Sequence, residues 1–148
     1  MNDLIGQWHL LYSTFPMWQK HKVHEVTFNY AVTTLNGKPA LTDEVKYMKG
    51  NTAKSIKGID TAIDGLSDTY RWRGKGILRL LSSTWKIEWK NSERDCLVLS
   101  FEKTFFTLAG LDIICRNKNS QWQAQQAIAH VSKQERFAVY LPELKLVA

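Results

Sequence analysis

Four histidines, His9, His21, His24 and His130, are the side chains best suited to proton transfer or metal ligation near neutral pH. None sits at a spacing that pairs it with another ligand. There is no H-x-x-x-H, and His21 and His24, three residues apart, fall on opposite faces of an extended strand. No nucleophile has a base at readable spacing, and no glycine-rich phosphate loop is present. The sequence therefore assigns no catalytic residue and no metal ligand, and an enzyme stays only as an alternative reading. His24 shares the apolar phase of its strand, where it reads as a hydrogen-bonding wall residue; its sharper alternative is an axial ligand to haem. Cys96 and Cys115 lack the paired spacing of a zinc site or a disulfide scaffold and read as core thiols, free in a reducing compartment. If the chain between them turns symmetrically about Phe105-Phe106, they face each other on neighbouring strands; a longer loop shifts that register.

The formal charge of +6 raises the question of an anionic partner. Its longest basic cluster, Arg71-Trp72-Arg73-Gly74-Lys75, is short, and other lysines alternate with apolar residues as the wet face of strands does. No nucleic-acid partner is expected. The opening Met1-Asn2-Asp3-Leu4-Ile5-Gly6 lacks a basic segment followed by an apolar run, and no apolar stretch reaches the roughly 18 residues of a membrane-spanning helix. These features predict a soluble, cytoplasmic protein without stable membrane insertion, and a chain of 148 residues is the size of one domain, residues 1–148.

The elements that must position any site have a period of two. His24, Val26, Phe28, Tyr30 and Val32 alternate with polar residues up to Asn36-Gly37, a strong hairpin signal, and Leu41 to Met48 returns with Val45 and Tyr47 on one face. Further strands are predicted over Thr52 to Ile63, Thr69 to Arg73, around Trp85, Ile87 and Trp89, Cys96 to Lys103, and Leu111 to Arg116. With Gly6 to Thr14 these make about eight consecutive antiparallel strands. From Ser120 to Gln134 the alternation gives way to an Ala- and Gln-rich amphipathic helix, followed by a short strand from Phe137 to Leu141, stopped by Pro142. Closing the sheet satisfies its outer backbone groups, so the fold class is all-β: a closed up-and-down barrel with one C-terminal helix packed outside.

In that setting Gly6-Gln7-Trp8 resembles the G-x-W signature that opens the first strand of lipocalins, and Arg116 in "IICRNK" resembles the arginine closing their last barrel strand before a helix. Asp95 in "SERDC" stands where the second family motif would lie, without its Thr-Asp-Tyr wording, so the wider calycin group is the unit of resemblance. The likeness runs from Gly6 to the helix. Such a floor brings Trp8 and Arg116 together, with the guanidinium across the indole face and Gly6 allowing a tight backbone turn; these three are structural residues.

The connections after Thr14, Met48, Arg73 and Lys103 then share the open end. Phe15, Met17, Trp18, Ile77, Leu78, Leu80, Leu81, Phe105, Phe106 and Leu108 are expected to form an apolar mouth there, suited to ligand entry, partner docking or a homodimer. Alternation predicts an interior wall of Leu10, Tyr12, His24, Phe28, Tyr30, Val45, Tyr47, Tyr70, Trp72 and Trp85, with Ile87 and Trp89 on the same face. An aromatic wall with a few hydroxyls suits a flat or long apolar molecule with one polar end. Inward arginines at 71 and 73 would instead hold an anion; the cost of burying unpaired charge favours the outward phase. The expected function is non-covalent binding or transport of a small hydrophobic ligand, a lipid, fatty acid or flat aromatic, with no cofactor.

Overall fold

The computed structural model describes residues 1–147. Strands β1 (Gly6–Ser13), β2 (Val23–Leu35), β3 (Lys38–Lys49), β4 (Thr52–Ala62), β5 (Thr69–Gly74), β6 (Ser82–Lys90), β7 (Cys96–Phe101) and β8 (Gly110–Cys115) precede helix α1 (Gln121–Ser132) and a short β9 (Lys145–Leu146). Each of the first seven strands pairs antiparallel with the next, and β1 pairs with both β2 and β8, so the barrel closes. β9 lies outside that ring, against Tyr12 and Ser13 of β1.

Local chemistry explains the path. Asn36 and Gly37 both have positive φ, 52° and 77°, as a two-residue hairpin between right-twisted strands requires. They set Leu35 opposite Lys38, and the β2–β3 ladder runs back from there to Val23 opposite Lys49.

Side chains of the barrel divide into two apolar bodies. The inner one includes Trp8, Leu10, Phe28, Tyr30, Leu41, Tyr70, Trp85, Leu97 and Ile114. The outer one lies between α1 and strands β1, β7 and β8, and includes Leu11, Cys96, Val98, Ile113, Cys115, Ala124, Ala127 and Val131. Small alanines on the buried stripe of α1 let the helix approach the sheet closely, while Trp122 on its other face is 73% exposed.

The expected strand from Phe137 to Leu141 is instead part of a 3₁₀ stretch over Glu135–Glu143. Phe137 is buried in the outer body and Tyr140 packs on it; their i, i+3 spacing aligns on one side of a 3₁₀ turn and would split across an extended strand.

Three bulges interrupt the alternation, between Leu10 and Tyr12, His24 and Thr27, and Ile87 and Trp89. Each inserts one residue and reverses the side-chain phase beyond it. Their effect on the expected wall is large.

Candidate functional site

The closed end is built by the first residues and the last barrel strand. The Arg116 guanidinium carbon lies 3.8 Å from the centre of the Trp8 ring. Its nitrogens donate to the carbonyls of Asp3, Ile5 and Gln7 at 3.0, 2.9 and 3.1 Å. Trp8 is wholly buried and donates through Nε1 to Leu4 O at 2.8 Å. Gly6 has φ of 109°, and a Cβ there would come within 2.8 Å of Arg116 Nη1. Gly6, Trp8 and Arg116 thus meet at one end and seal it.

Above this floor an interior cavity of about 180 Å³ opens toward the other end. Its wall takes Phe28 and Tyr30 from β2, Val45 from β3, Ile56 from β4, Trp72 and Trp85 from β5 and β6, with Phe101 after them. Phe15, Met17 and Trp18 from the β1–β2 connection and Thr107 from the β7–β8 connection stand at its mouth. Trp72 can cross the interior because β4 carries Gly58 beneath it, where any Cβ would overlap the indole. Trp85 is the centre of an aromatic stack, 4.6 Å from Tyr70, 6.1 Å from Tyr30 and 6.3 Å from Phe101, ring centre to ring centre.

Five of the ten expected wall residues, Phe28, Tyr30, Val45, Trp72 and Trp85, line this cavity. Leu10 and Tyr70 point into the barrel but belong to its packed part, and Tyr47 packs edge-on against Trp18 at 5.2 Å. Tyr12 and His24 are corrections. The bulge after Leu10 turns Tyr12 outward onto the helix side, where its hydroxyl accepts from Gln125 Nε2 at 3.1 Å. The bulge at Glu25, whose φ is 53°, separates His24 from the inward phase of Val26, and its Nε2 bonds Gly50 O at 3.0 Å. The histidine that an axial haem ligand would require is therefore not in the cavity. Trp89 is likewise displaced by the third bulge and stacks on His130 outside the barrel, at 5.5 Å.

Sequence reasoning missed the cavity's polar groups. Asp43 and Asp112 line it, and Asp60 lies beside them at the base of the Trp85 stack. All three are buried, at 7%, 1% and 0% exposure. Asp112 Oδ1 accepts from Ser13 Oγ at 2.6 Å, and Asp60 Oδ1 from Trp85 Nε1 at 2.9 Å. Asp43 Oδ1 and Asp60 Oδ2 have no partner unless a proton is held between the two carboxyls. Burial raises all three acids: Asp112 to about 7 against the Ser13 hydrogen bond, Asp43 to about 6, and Asp60 well above the carboxylate range, with the Asp43 charge adding to its burial. Tyr30 is pushed up by burial first and then by Asp43, Asp60 and Asp112. The alternation contained the signal, since Asp43 precedes Val45 by two and Asp112 precedes Ile114 by two.

The expected mouth is split. Phe15 and Trp18 turn in to close on the cavity, whereas Ile77, Leu80, Phe105, Phe106 and Leu108 stand out at 99, 88, 97, 74 and 73% exposure. Arg71 and Arg73 are exposed. Cys96 faces Cys115 in register across β7 and β8, and the two form a disulfide, where free thiols were expected; the hairpin is symmetric enough to bring them opposite. Among the described residues, no group of three or more His, Cys, Asp or Glu is arranged to hold a metal ion, and no helix is long and apolar enough to cross a membrane.

No family model matches the sequence, and no curated protein matches it. Solved structures match the fold. Apocrustacyanin C1 is similar over 99% of this chain and 78% of its own, at 13% identity and a TM-score of 0.70. The siderocalin Ex-FABP is similar over 98% and 93%, at 13% identity and a TM-score of 0.67. Japanin from Rhipicephalus appendiculatus, solved bound to cholesterol, is similar over 99% and 95%, at 12% identity and a TM-score of 0.62. With a floor of glycine, tryptophan and arginine, eight antiparallel strands in sequence and a helix after the last, the chain has the lipocalin fold.

Proposed function

We propose that this protein binds a small, largely apolar molecule non-covalently inside the barrel. The observation that carries this is the cavity of about 180 Å³, walled by Phe28, Tyr30, Val45, Trp72 and Trp85, with Phe15, Met17, Trp18 and Thr107 at its mouth. Aromatic walls with a few placed polar groups are the ordinary make-up of a small-molecule site. Japanin's cholesterol supports the use of this barrel interior for apolar ligands. The volume here is smaller than the roughly 300–1,000 Å³ of drug-sized pockets, and an apolar hole of about 150 Å³ holds a benzene ring. The occupant is therefore of one or two rings, or a short chain, rather than a sterol.

Because Trp72 and Trp85 line the cavity, intrinsic fluorescence reads occupancy directly. Titration with a neutral single-ring compound such as 2-phenylethanol is expected to give saturable quenching that Trp72→Phe reduces. A linear, non-saturating response in both proteins refutes the site.

One observation favours a second activity beside this one. Ile77, Leu80, Phe105 and Phe106 are exposed on the β5–β6 and β7–β8 connections, outside the cavity. They support docking of a partner or a second copy at the rim, and sedimentation of the wild type against Phe105→Ser/Phe106→Ser tests it; identical sedimentation removes self-association. The paired Cys96 and Cys115 support residence in a compartment oxidising enough to keep them joined, in place of the expected cytoplasm.

A further inference from the structure

The barrel encloses acids without a base. Asp43 and Asp112 line the cavity and Asp60 adjoins it, yet every ion pair of the described residues uses Asp3, Glu44, Asp68 or Glu88 instead. No lysine, arginine or histidine lines that cavity, although the chain as a whole carries a formal charge of +6. The basic residues are at the surface and the acidic ones face inward. Buried carboxylates are normally paired with a cation or neutralised by a proton, because ionising them alone in a low-dielectric interior is costly. Here the empty barrel has only the second option.

A ligand can supply the first. We propose that the cavity's ligand is a small protonated amine carrying an aromatic or short alkyl body, its ammonium held between Asp43 and Asp112. This rests on the small-molecule reading above and names the chemistry of the ligand's polar end. Asp43 is more than nine-tenths buried, lines the cavity, and has an oxygen, Oδ1, that no protein donor reaches other than a proton shared with Asp60. Asp112 uses Oδ1 to accept from Ser13 and lines the same cavity. An ammonium has three donors, enough for both carboxylates with one left for the Tyr30 hydroxyl or water. The rings of Tyr30, Trp72, Trp85 and Phe28 present the π faces that attract a desolvated cation and also cover an apolar body. An anionic ligand meets the opposite: its carboxylate would be set against Asp43 and Asp112 in the same space. A neutral ligand leaves both acids to keep their protons.

The titratable groups around the ammonium are Tyr30 on β2, Asp43 on β3, Asp60 on β4, Tyr70 on β5, Glu102 after β7 and Asp112 on β8. All are acids, so falling pH can only remove negative charge from the site. Asp43 and Asp112 take up protons near pH 6 and 7, and amine binding weakens through that interval. The binding of a neutral ring compound does not follow it.

Calorimetric titration of the full chain with 2-phenylethylamine, 2-phenylethanol and 3-phenylpropanoate tests this, since the three differ only at the polar end. At about pH 8 the amine is expected to bind at least about tenfold more tightly than the alcohol, the lower end of what a charge-assisted hydrogen bond contributes, and the carboxylate not to bind. Asp43→Asn is expected to remove the amine's advantage, so that within that variant the amine and the alcohol bind with equal affinity. Asp112→Asn serves as the second variant should Asp43→Asn fail to fold. Equal affinities for amine and alcohol in the wild type, or an amine preference that survives in the folded variants, overturn the amine assignment while small-molecule binding stands. No heat from any of the three compounds overturns both.

Discussion

Replacing Asp112 by asparagine isolates the cost of charge inside the barrel. The wild-type carboxyl is wholly buried, with a value of about 7 in the fold against 3.8 when unperturbed, and burial outweighs the Ser13 hydrogen bond that would lower it. A carboxyl whose value is raised by folding favours the protonated, neutral form in the native state. Its contribution is fully present below about pH 3.8, declines as pH rises, and is lost above about pH 7. One pKa unit corresponds to about 1.4 kcal/mol, so the whole swing is at most about 4 kcal/mol. Asparagine keeps an oxygen for Ser13 Oγ to donate to, occupies nearly the same volume, and cannot ionise. The variant should therefore gain on the wild type as pH rises. Urea melts of the ligand-free protein at several pH values between about 4 and 8 measure this, and the quantity of interest is the variant's stability minus the wild type's. Asp43 and Asp60 titrate in both proteins and drop out of the difference to first order. A rise of 2 kcal/mol or more, roughly 4–8 °C in melting temperature at this chain length, is expected toward pH 8. A flat difference, or one that falls with pH, refutes the assignment of Asp112 as an acid held neutral by burial.

Trp8→Ala empties the barrel floor of a wholly buried indole and its hydrogen bond to Leu4; a loss of roughly 3–5 kcal/mol is expected, and an unchanged thermal melt contradicts the plug. Gly6→Ala forces a side chain into a left-handed backbone position against Arg116 and should cost about 1–3 kcal/mol by the same melt, whereas a surface alanine substitution would be neutral. The Cys96–Cys115 link closes a loop with a sequence separation of 19, so Cys96→Ser/Cys115→Ser should lower stability by about 3 kcal/mol; equal stability of wild type and variant under non-reducing conditions shows that the pair is not joined.

The alternation carried the barrel well because most of its strands obey it without interruption. Along β2 from Val26 to Tyr30 and along β3 from Leu41 to Tyr47, the inward residues are those of one parity, and the floor motif places Trp8 and Arg116 without further help. It failed at the bulges. Tyr12, His24 and Trp89 each lie at or beyond an inserted residue that their sequence neighbourhood does not announce, since Leu11, Glu25 and Glu88 are ordinary strand residues by type. The Phe137 to Leu141 segment failed for another reason: its contact with the outer body rewards a three-residue spacing over an alternating one. The acidic lining was legible by parity and was hidden by chemistry, because an aspartate on an apolar face is so costly that it reads as a solvent residue until the fold shows its surroundings.

Both cysteines have no exposed surface, and the side chains packed over them belong to α1 and the 3₁₀ stretch, Ala124, Ala127, Val131 and Phe137. A reductant in solution reaches the sulfurs only when that cover lifts from the sheet. The rate at which excess thiol opens the bond is thus the opening frequency of the helix, and its dependence on urea measures how much surface that local event uncovers. The barrel carries its own clock for the detachment of its helix, readable without a probe.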